Sequence, residues 1–448
     1  MVAPAVAARF RCLGCGTVYP LAEPRTSCAA CGELLDVEPD LEAFGHSGNA
    51  WRDLFERRRA APLSPGTLPH ERSGVWRYRE HVLPGLDASL LVSKPEGATR
   101  LYAGGALGEE LGLARLFVKH EGENPTLSFK DRGMTAGVTW AKACGFPLVG
   151  CASTGDTSAA LAAYAAEVPG MRAVVLLPHD KISDEQLAQA LAYGATTFGL
   201  DTDFDGCMKI VAALADEGRV YLLNSKNAVR LEGQKTIAFE AIHDLGWTAP
   251  DWFVVPVGNA GNISAIGKGL REWLSIGILD KKPRLAGIQA DAADPFYRSY
   301  KTGFAERVTR VAGETAASAI RIGAPVSHAK AQREIGAFDG VVERVTEAEL
   351  LDVFALAGRH GLAICPNSAV ALAGAAKLRR EGTIRRDDLV VVVATAHALK
   401  FSRTMAAYHR GTGSLANPPR RLPATLDAVR AALGEIRPDR DCSGRRSG

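Results

Sequence analysis

A regular alternation of two patterns runs from about residue 101 to about residue 410 and limits the possible folds more than any other feature. One pattern is a short apolar run of strand length, found at 116–118, 148–152, 173–177, 196–199, 252–257, 284–289, 341–345 and 389–394. The other is an alanine-rich stretch with helical spacing, found at 157–167, 183–192, 204–216 and 369–381. Strands that alternate with helices form parallel sheets with helices on both faces. The sequence therefore predicts an α/β fold, with ligand sites where strands end and helices begin.

Composition narrows the classes of protein that fit. The chain has 448 residues, 47% of them hydrophobic, which is enough for a large core and for two or three domains. Its net charge of +3 is too small to indicate nucleic acid or a membrane surface as a partner. The apolar runs are shorter than a membrane helix needs, and the apolar start is too short for a signal peptide. We therefore expect a cytoplasmic protein.

Four cysteines near the start of the chain form two CxxC pairs, Cys12 with Cys15 and Cys28 with Cys31. This spacing is typical of a zinc ribbon, in which each pair directs two thiolates at one tetrahedral ion. Because all four ligands come from the protein, we expect a structural Zn²⁺ site. The alternative is four buried cysteines without metal.

These patterns divide the chain into four predicted parts. Residues 1–40 form the zinc-ribbon-like unit, and residues 41–100 form an extension anchored on the core by Trp51, Trp76 and Tyr78. Residues 101–410 form the core, with a smaller subdomain at about 140–225 nested in a larger one. Residues 411–448 form a tail, and its end at 438–448 is predicted to be disordered.

Lys130 occupies an unusual position for a lysine. It follows a loop that contains Pro125 and small hydroxylated residues, and it precedes a run that reads as a helix. A side chain at such a junction can point into a cleft. A partly desolvated lysine can lose its proton near neutral pH and form a Schiff base with an aldehyde. The alternative is an ordinary exposed lysine on a helix.

The segment 151–159 follows a predicted strand and opens an alanine-rich helix. Backbone N–H groups converge there with the hydroxyl groups of Ser153, Thr154, Thr157 and Ser158. Such a helix start binds an anion, most naturally a carboxylate. The alternative is an ordinary helix cap, for which one hydroxyl would be enough.

Two further strand ends carry candidate ligand sites. After the strand at 252–257 come the five residues Gly258, Asn259, Ala260, Gly261 and Asn262. Their flexible backbone and the following helix predict a pocket for a monophosphate, because the G-x-G-x-x-G spacing of a dinucleotide site is absent. After the strand at 389–394 come Thr395 and His397, and we interpret the histidine as structural.

The run 224–236 adds a second candidate anion site. Arg230 can bind a phosphate through two parallel hydrogen bonds, with Asn224 and Ser225 beside it. The alternative is an exposed turn at the start of a helix.

These motifs together resemble the threonine synthase family, and its plant-type branch in particular. The matching runs are Ser128-Phe129-Lys130-Asp131-Arg132-Gly133-Met134, the Ser153–Ser158 loop, and the run from Asn224 to Thr236. The resemblance implies the tryptophan-synthase-β fold of pyridoxal-phosphate enzymes, with two parallel-sheet subdomains. It also implies an enzyme that converts O-phospho-L-homoserine to L-threonine by γ-elimination of phosphate and β-addition of water, and that works as a homodimer.

The resemblance also implies roles for the candidate residues. Lys130 would hold pyridoxal phosphate as a Schiff base and then transfer protons. Asp156, Thr395 and the loop Gly258, Asn259, Ala260, Gly261 and Asn262 would bind the cofactor, the loop at its phosphate and Thr395 at its pyridine nitrogen. The substrate would be bound by Ser153, Thr154, Thr157, Asn224, Ser225 and Arg230.

The chain departs from the family pattern in two places. Leu127 stands where the family usually has glycine, and we expect its side chain to crowd the pocket. The segment 364–369 also differs. Three other functions therefore stay open. They are a related enzyme that eliminates or replaces a β-substituent on serine, threonine or O-phosphoserine, an inactive binding protein, and a nucleic-acid-binding ribbon protein.

Overall fold

The computed structural model describes residues 7–62, 64–153, 155–179 and 184–435. Thr154, Ser183 and the predicted disordered residues 438–448 lie outside the described residues. The strands are β1 (Ala8–Cys12), β2 (Val18–Pro20), β3 (Leu35–Pro39), β4 (Leu101–Ala103), β5 (Arg115–His120), β6 (Leu148–Ala152), β7 (Arg172–Pro178), β8 (Thr196–Leu200), β9 (Tyr221–Leu222), β10 (Trp252–Pro256), β11 (Arg284–Ala290), β12 (Val341–Val345) and β13 (Leu389–Ala394).

The α-helices are α1 (Gly48–Ala60), α2 (Arg79–Val82), α3 (Gly105–Glu110), α4 (Lys130–Ala143), α5 (Asp156–Ala165), α6 (Asp184–Ala192), α7 (Phe204–Asp216), α8 (Ala228–Gln234), α9 (Thr236–Asp244), α10 (Gly261–Ser275), α11 (Pro295–Lys301), α12 (His328–Ala337), α13 (Glu347–Arg359), α14 (Pro366–Arg380), α15 (Ser402–Arg410) and α16 (Leu426–Gly434). None of the helices in the described ranges is long and apolar enough to span a membrane.

Two sheets form the core. The larger sheet has the order β12-β11-β10-β13-β5-β4, and the smaller has the order β8-β7-β6-β9. All pairs are parallel except β4, which lies antiparallel to β5 at the edge of the larger sheet. The predicted α/β fold with two parallel sheets is therefore confirmed. The antiparallel edge strand and the two-residue strand β9 were not predicted, because each is too short to show a periodic pattern.

The two central strands of the larger sheet lie entirely within the core. Every residue of β10 and β13 is buried, and both strands are rich in valine. Parallel sheets require such strands because helices cover both of their faces. Gly374 allows α14 to approach the sheet closely, since a Cβ atom there would lie 2.5 Å from the side chain of Ile288 on β11.

The N-terminal segments pack on this core. β1, β2 and β3 form a small antiparallel sheet with β1 in the centre. It is fixed to the larger body by Lys330, whose Nζ donates to the carbonyl of Leu35 at 2.6 Å. The aromatic anchors Trp51, Trp76 and Tyr78 are buried, as the sequence predicts, and Trp76 Nε1 donates to Thr135 Oγ1 on α4 at 2.8 Å.

Candidate active site

A cavity lies where the carboxyl ends of β10 and β13 meet the first turns of five helices, α4, α5, α8, α10 and α14. Its lining contains these residues proposed from the sequence: Lys130, Asp156, Ser225, Arg230, Gly258, Asn259, Ala260, Gly261, Asn262 and Thr395. The convergence follows from the topology, because parallel strands place all their carboxyl ends on one edge of the sheet.

Lys130 is the first residue of α4 and lies on the cavity wall. The loop before it is fixed to the segment after β13, since Phe129 N donates to Thr395 O at 2.9 Å and His397 N donates to Leu127 O at 3.0 Å. Burial and, to a smaller extent, the positive charge of Arg230 lower the pKa of Lys130 to about 7, although the carboxylate of Asp156 opposes both effects. Much of the amine is therefore neutral near pH 7, the form that attacks an aldehyde.

Leu127 does not line the cavity, so the expected crowding is wrong. Its backbone instead has φ of 63°, in the left-handed region that glycine adopts at little cost. The family's usual glycine at this position is thus explained by backbone conformation.

The turn between β10 and α10 has the features of a phosphate site. A Cβ atom on Gly258 would lie 2.8 Å from the Cα atom of Ile320, so only glycine fits there. Ala260 has φ of 64° and precedes the 15-residue helix α10, whose first backbone N–H groups face the cavity end. Asn262 is buried, and neither of its amide atoms has a hydrogen-bond partner among the described residues. An unpaired buried amide at a helix N-terminus suits an anionic ligand.

The loop after β6 reaches the cavity through Asp156, the first residue of α5. Ser153 and Thr157 are half-buried and are not part of the cavity lining. The Ser153 hydroxyl accepts a hydrogen bond from Gly155 N at 3.2 Å, which shapes the loop itself. Substrate binding by Ser153 and Thr157 stays a prediction.

Some residues of the run after β9 line the cavity and others do not. Ser225 and Arg230 line the cavity, but Asn224 does not. The Asn224 amide accepts from Ala152 N at 2.9 Å and donates to Ala152 O at 2.8 Å. These two bonds hold the Asn224 side chain against the end of β6, and substrate binding by Asn224 stays a prediction.

Arg230 is 2% exposed and lies on α8, a helix capped by Asn227. Its Nη1 donates to Leu223 O at 3.0 Å, while its Nε has no hydrogen-bond partner among the described residues. Burial lowers its pKa to about 10, so the guanidinium still carries its charge at neutral pH. A buried, incompletely bonded cation on the wall of the Lys130 cavity is a strong candidate for an anion site.

Thr395 closes the cavity behind β13, and the divergent segment 364–369 lies against it. Thr395 N donates to Ser368 Oγ at 2.8 Å, and the two hydroxyl oxygens are 3.3 Å apart. The Cys365 Sγ atom lies 3.0 Å from Ser368 Oγ. His397 has a structural role, since its Nδ1 accepts from Leu399 N at 3.1 Å.

Other cavity residues were missed by the sequence analysis. Asn227 and Gln234 belong to the run 224–236, so their signal was present but no role was assigned. Ala319, Ile320 and Asn367 come from distant segments, and Ala319 N donates to Asn367 Oδ1 at 3.1 Å. No local pattern marks these three, because only the fold brings them to the cavity.

Comparison with known proteins identifies the family. Residues 92–396 match the family model described as pyridoxal-phosphate dependent enzyme. The chain is 45% identical to threonine synthase of Methanocaldococcus jannaschii over 87% of this chain and 92% of that protein. It is 44% identical to threonine synthase 2, chloroplastic, of Arabidopsis thaliana over 90% of this chain and 80% of that protein. The chain belongs to the threonine synthase family.

Solved structures support the same fold for this threonine synthase family member. Threonine synthase from Escherichia coli superposes with a TM-score of 0.64 over 95% of this chain and 99% of that chain, at 19% identity. The processed form of threonine deaminase isoform 2 from Solanum lycopersicum gives a TM-score of 0.59 over 68% of this chain and 86% of that chain, also at 19% identity. At such identities the likeness establishes the fold alone.

The residues of this threonine synthase cavity fit pyridoxal phosphate. The start of α10 and the unpaired amide of Asn262 suit its phosphate, and Lys130 suits its aldehyde. The Thr395 hydroxyl, 6% exposed on the same wall, suits a pyridine nitrogen that stays uncharged. When bound, the cofactor supplies a conjugated ring that delocalises negative charge from the substrate's carbon atoms.

The four N-terminal cysteines form one cluster outside this cavity. Their Sγ atoms all lie within 4.8 Å of one another, and Cys12 Sγ is 3.4 Å from Cys31 Sγ. The predicted grouping of Cys12, Cys15, Cys28 and Cys31 is confirmed. Such a cluster can hold one metal ion.

Proposed function

We propose that this threonine synthase family member converts O-phospho-L-homoserine to L-threonine. The observation that carries the proposal is Arg230, a buried cation whose Nε is unbonded on the wall of the Lys130 cavity. The start of α10 already provides one anion site for the cofactor phosphate. Arg230 provides a second, which a phosphorylated substrate needs and an unphosphorylated amino acid does not.

Each residue then has a task in the reaction. Lys130 Nζ, with a pKa near 7, takes the proton from Cα of the substrate and later one from Cβ. Arg230 stabilises the phosphate that leaves Cγ, because the guanidinium offers paired N–H donors in a buried site. Water then adds its hydroxyl group at Cβ, and its remaining proton together with the two taken from Cα and Cβ protonates Cγ, Cα and the departing phosphate. Asp156 stabilises the protonated form of Lys130 and so supports proton return.

A phosphate-release assay tests the proposal. Wild-type enzyme is expected to release phosphate and form threonine from O-phospho-L-homoserine. Arg230→Ala should lower kcat/KM by roughly 30- to 1000-fold, or about 2–4 kcal/mol, because it removes a charge-assisted contact to the leaving group. The visible absorbance of the bound cofactor should stay unchanged.

Arg219→Ala is the matched control, since the Arg219 side chain is 72% exposed and pairs with Glu217 on the surface. If Arg230→Ala turned over O-phospho-L-homoserine as well as the wild-type enzyme does, the substrate phosphate would bind elsewhere. Keto-acid release from serine, threonine or O-phosphoserine, without turnover of O-phospho-L-homoserine, would favour the β-eliminating alternative.

We also propose that the four-cysteine cluster holds structural Zn²⁺. A tetrahedral site with Zn–S bonds of about 2.3 Å separates its sulfur atoms by about 3.8 Å. Three distances between Sγ atoms of different CxxC pairs are close to this, at 3.4–3.6 Å. Metal analysis should find about one zinc per chain, which is lost in the Cys28→Ser/Cys31→Ser double variant. A folded wild-type protein without zinc would contradict the proposal.

We propose, finally, that the enzyme is a cytoplasmic homodimer. The cysteines of the described residues form no disulfide, which suits a reducing compartment. Sedimentation equilibrium tests the oligomeric state, and a monomer at micromolar concentration would contradict it.

A further inference from the structure

Lys400 is a lysine with a partly buried side chain, and the proposed function gives it no role. It lies in a short 3-10 helix, Ala398–Phe401, just after β13, and its side chain is 9% exposed. Its Nζ donates to Thr126 O at 2.9 Å and to Gln189 Oε1 at 2.6 Å, and it pairs with Asp156 Oδ1 at 3.0 Å. An ammonium group has three N–H donors, so these three acceptors match its full capacity.

The three partners come from two separate parts of the fold. Asp156 begins α5 and Gln189 lies on α6, and both helices flank the smaller sheet. Thr126 lies in the loop before Lys130, which is fixed to the larger sheet through the segment after β13. One side chain therefore connects the helices of the smaller sheet to the body that carries the cofactor lysine.

Both ends of this connection adjoin reacting groups. Asp156 lines the cavity and opposes the effects of burial and Arg230 on the pKa of Lys130. Thr126 is held by Asp131, the residue next to Lys130, through Thr126 N at 2.7 Å and also through its hydroxyl. A shift of Lys400 would therefore disturb the cavity wall at Asp156 and the loop that presents Lys130.

We propose that Lys400 is a positioning residue that holds α5 and α6 against the loop before Lys130 and keeps the cavity closed over bound substrate. The inference rests on the proposed function for its kinetic readout, but not for its structural readout. If the contact is removed, a smaller fraction of the enzyme is closed, and apparent substrate affinity falls by that fraction. KM should therefore rise more than kcat falls.

Holoenzyme variants test the contact from both sides. Lys400→Met removes all three bonds, while Gln189→Ala removes the bond to α6 alone, from a half-buried position that tolerates truncation. In both variants, amide hydrogen exchange within α6 should be about tenfold faster or more. Lys400→Met should raise KM about tenfold with kcat changed less than about threefold.

Two comparisons separate positioning from general damage. Adding Gln189→Ala to Lys400→Met should have no further effect, because both act on the same bond. Lys377→Met is the matched control, since Lys377 lies on α14 outside the cavity lining and its side chain is also half-buried. Its Nζ donates to Glu343 Oε1 at 3.1 Å and to Arg344 O at 2.8 Å. Lys377→Met should leave α6 exchange and KM unchanged.

The inference would be overturned if amide hydrogen exchange within α6 were as slow in both variants as in the wild-type enzyme. A fall in the kcat of Lys400→Met at unchanged KM would also overturn it. If Lys400→Met fails to fold, Gln189→Ala decides, because slower or unchanged exchange of α6 contradicts the proposal and faster exchange supports it. If wild-type enzyme ignores O-phospho-L-homoserine, the proposed function fails, while the exchange measurement still decides the role of Lys400.

Discussion

Lys130 and Arg132 are two cations on the first turn of α4, and their surroundings are opposite. Lys130 faces the cavity, where burial and a neighbouring arginine lower its pKa to about 7. Arg132 is fully buried and bonds both carboxylate oxygens of Glu121, at 2.6 and 2.8 Å, and also the carboxylate of Glu240. Burial opposes its charge, but Glu121 and Glu240 raise its pKa above the usual range.

The difference shows how one helix turn serves chemistry and stability together. A lysine without adequate counter-charge gives up its proton and becomes a nucleophile, at some cost in stability. An arginine with two carboxylates keeps its charge and fixes the helix to its neighbours. Lys119 joins the same group at 3.1 Å from Glu240, so the Glu240 carboxylate is shared between two cations.

The largest expected effect is on activity at Lys130. Lys130→Ala should lower kcat by about 10⁴-fold or more, because it removes the nucleophile and the group that transfers protons. Its free energy of unfolding, measured with urea on cofactor-free enzyme, should be unchanged or higher, because a poorly compensated buried amine is lost. Lys142→Ala, at the exposed end of α4, is the control. Substantial turnover by Lys130→Ala would break the comparison.

Arg132 should show the reverse behaviour. Arg132→Met leaves Glu121 and Glu240 buried without their main partner, so we expect a loss of about 3–5 kcal/mol in the free energy of unfolding. Adding Glu240→Gln should restore part of that loss, since it removes one uncompensated charge. Urea titration measures both variants. A loss below about 1 kcal/mol would mean that this charge group does not stabilise the helix.

The pH dependence of the reaction between Lys130 and pyridoxal phosphate tests the lowered pKa of Lys130 directly. The rate at which pyridoxal phosphate becomes fixed to Lys130 by borohydride should rise about tenfold per pH unit below about 7, because only the neutral amine reacts. It should level off above that pH. Arg230→Met should move the plateau to higher pH, because removing a positive charge raises the pKa of Lys130. Asp156→Asn should move it to lower pH. A rate independent of pH from 5 to 9 would contradict the lowered pKa.

The smallest expected effect concerns the loop that presents Lys130. Leu127→Gly should raise the free energy of unfolding by about 1 kcal/mol, because φ of 63° strains leucine but not glycine. Activity should be unchanged, since Leu127 does not line the cavity. Leu68→Gly is the control, because Leu68 is exposed with φ of −72° and its replacement should destabilise slightly. Thermal denaturation measures both, and destabilisation by Leu127→Gly would show that packing outweighs strain.

Local patterns in the sequence were sufficient for much of the fold. Each of the eight apolar runs proposed as strands is a strand in the structure, because runs too short for a helix that alternate with helical stretches pair into parallel sheets. The positions of Lys130 and the turn at Gly258 also follow from local order, since each joins a loop or strand to a helix. Strand β4 could not be predicted, because it forms by pairing with β5 and no local pattern in the sequence marks that pairing.

The sequence by itself determined which chemical groups are available: a lysine at a helix start, a glycine-rich turn, an arginine in the run 224–236 and four paired cysteines. Only the tertiary structure decided which of them meet. It directed Asn224 to the backbone of Ala152, brought Asn367 to the cavity and placed Lys400 between Asp156 and Gln189. The physical reason is range. Periodicity and turn chemistry act between neighbours in sequence, whereas burial, charge pairing and the pKa of Lys130 depend on atoms that only folding brings together.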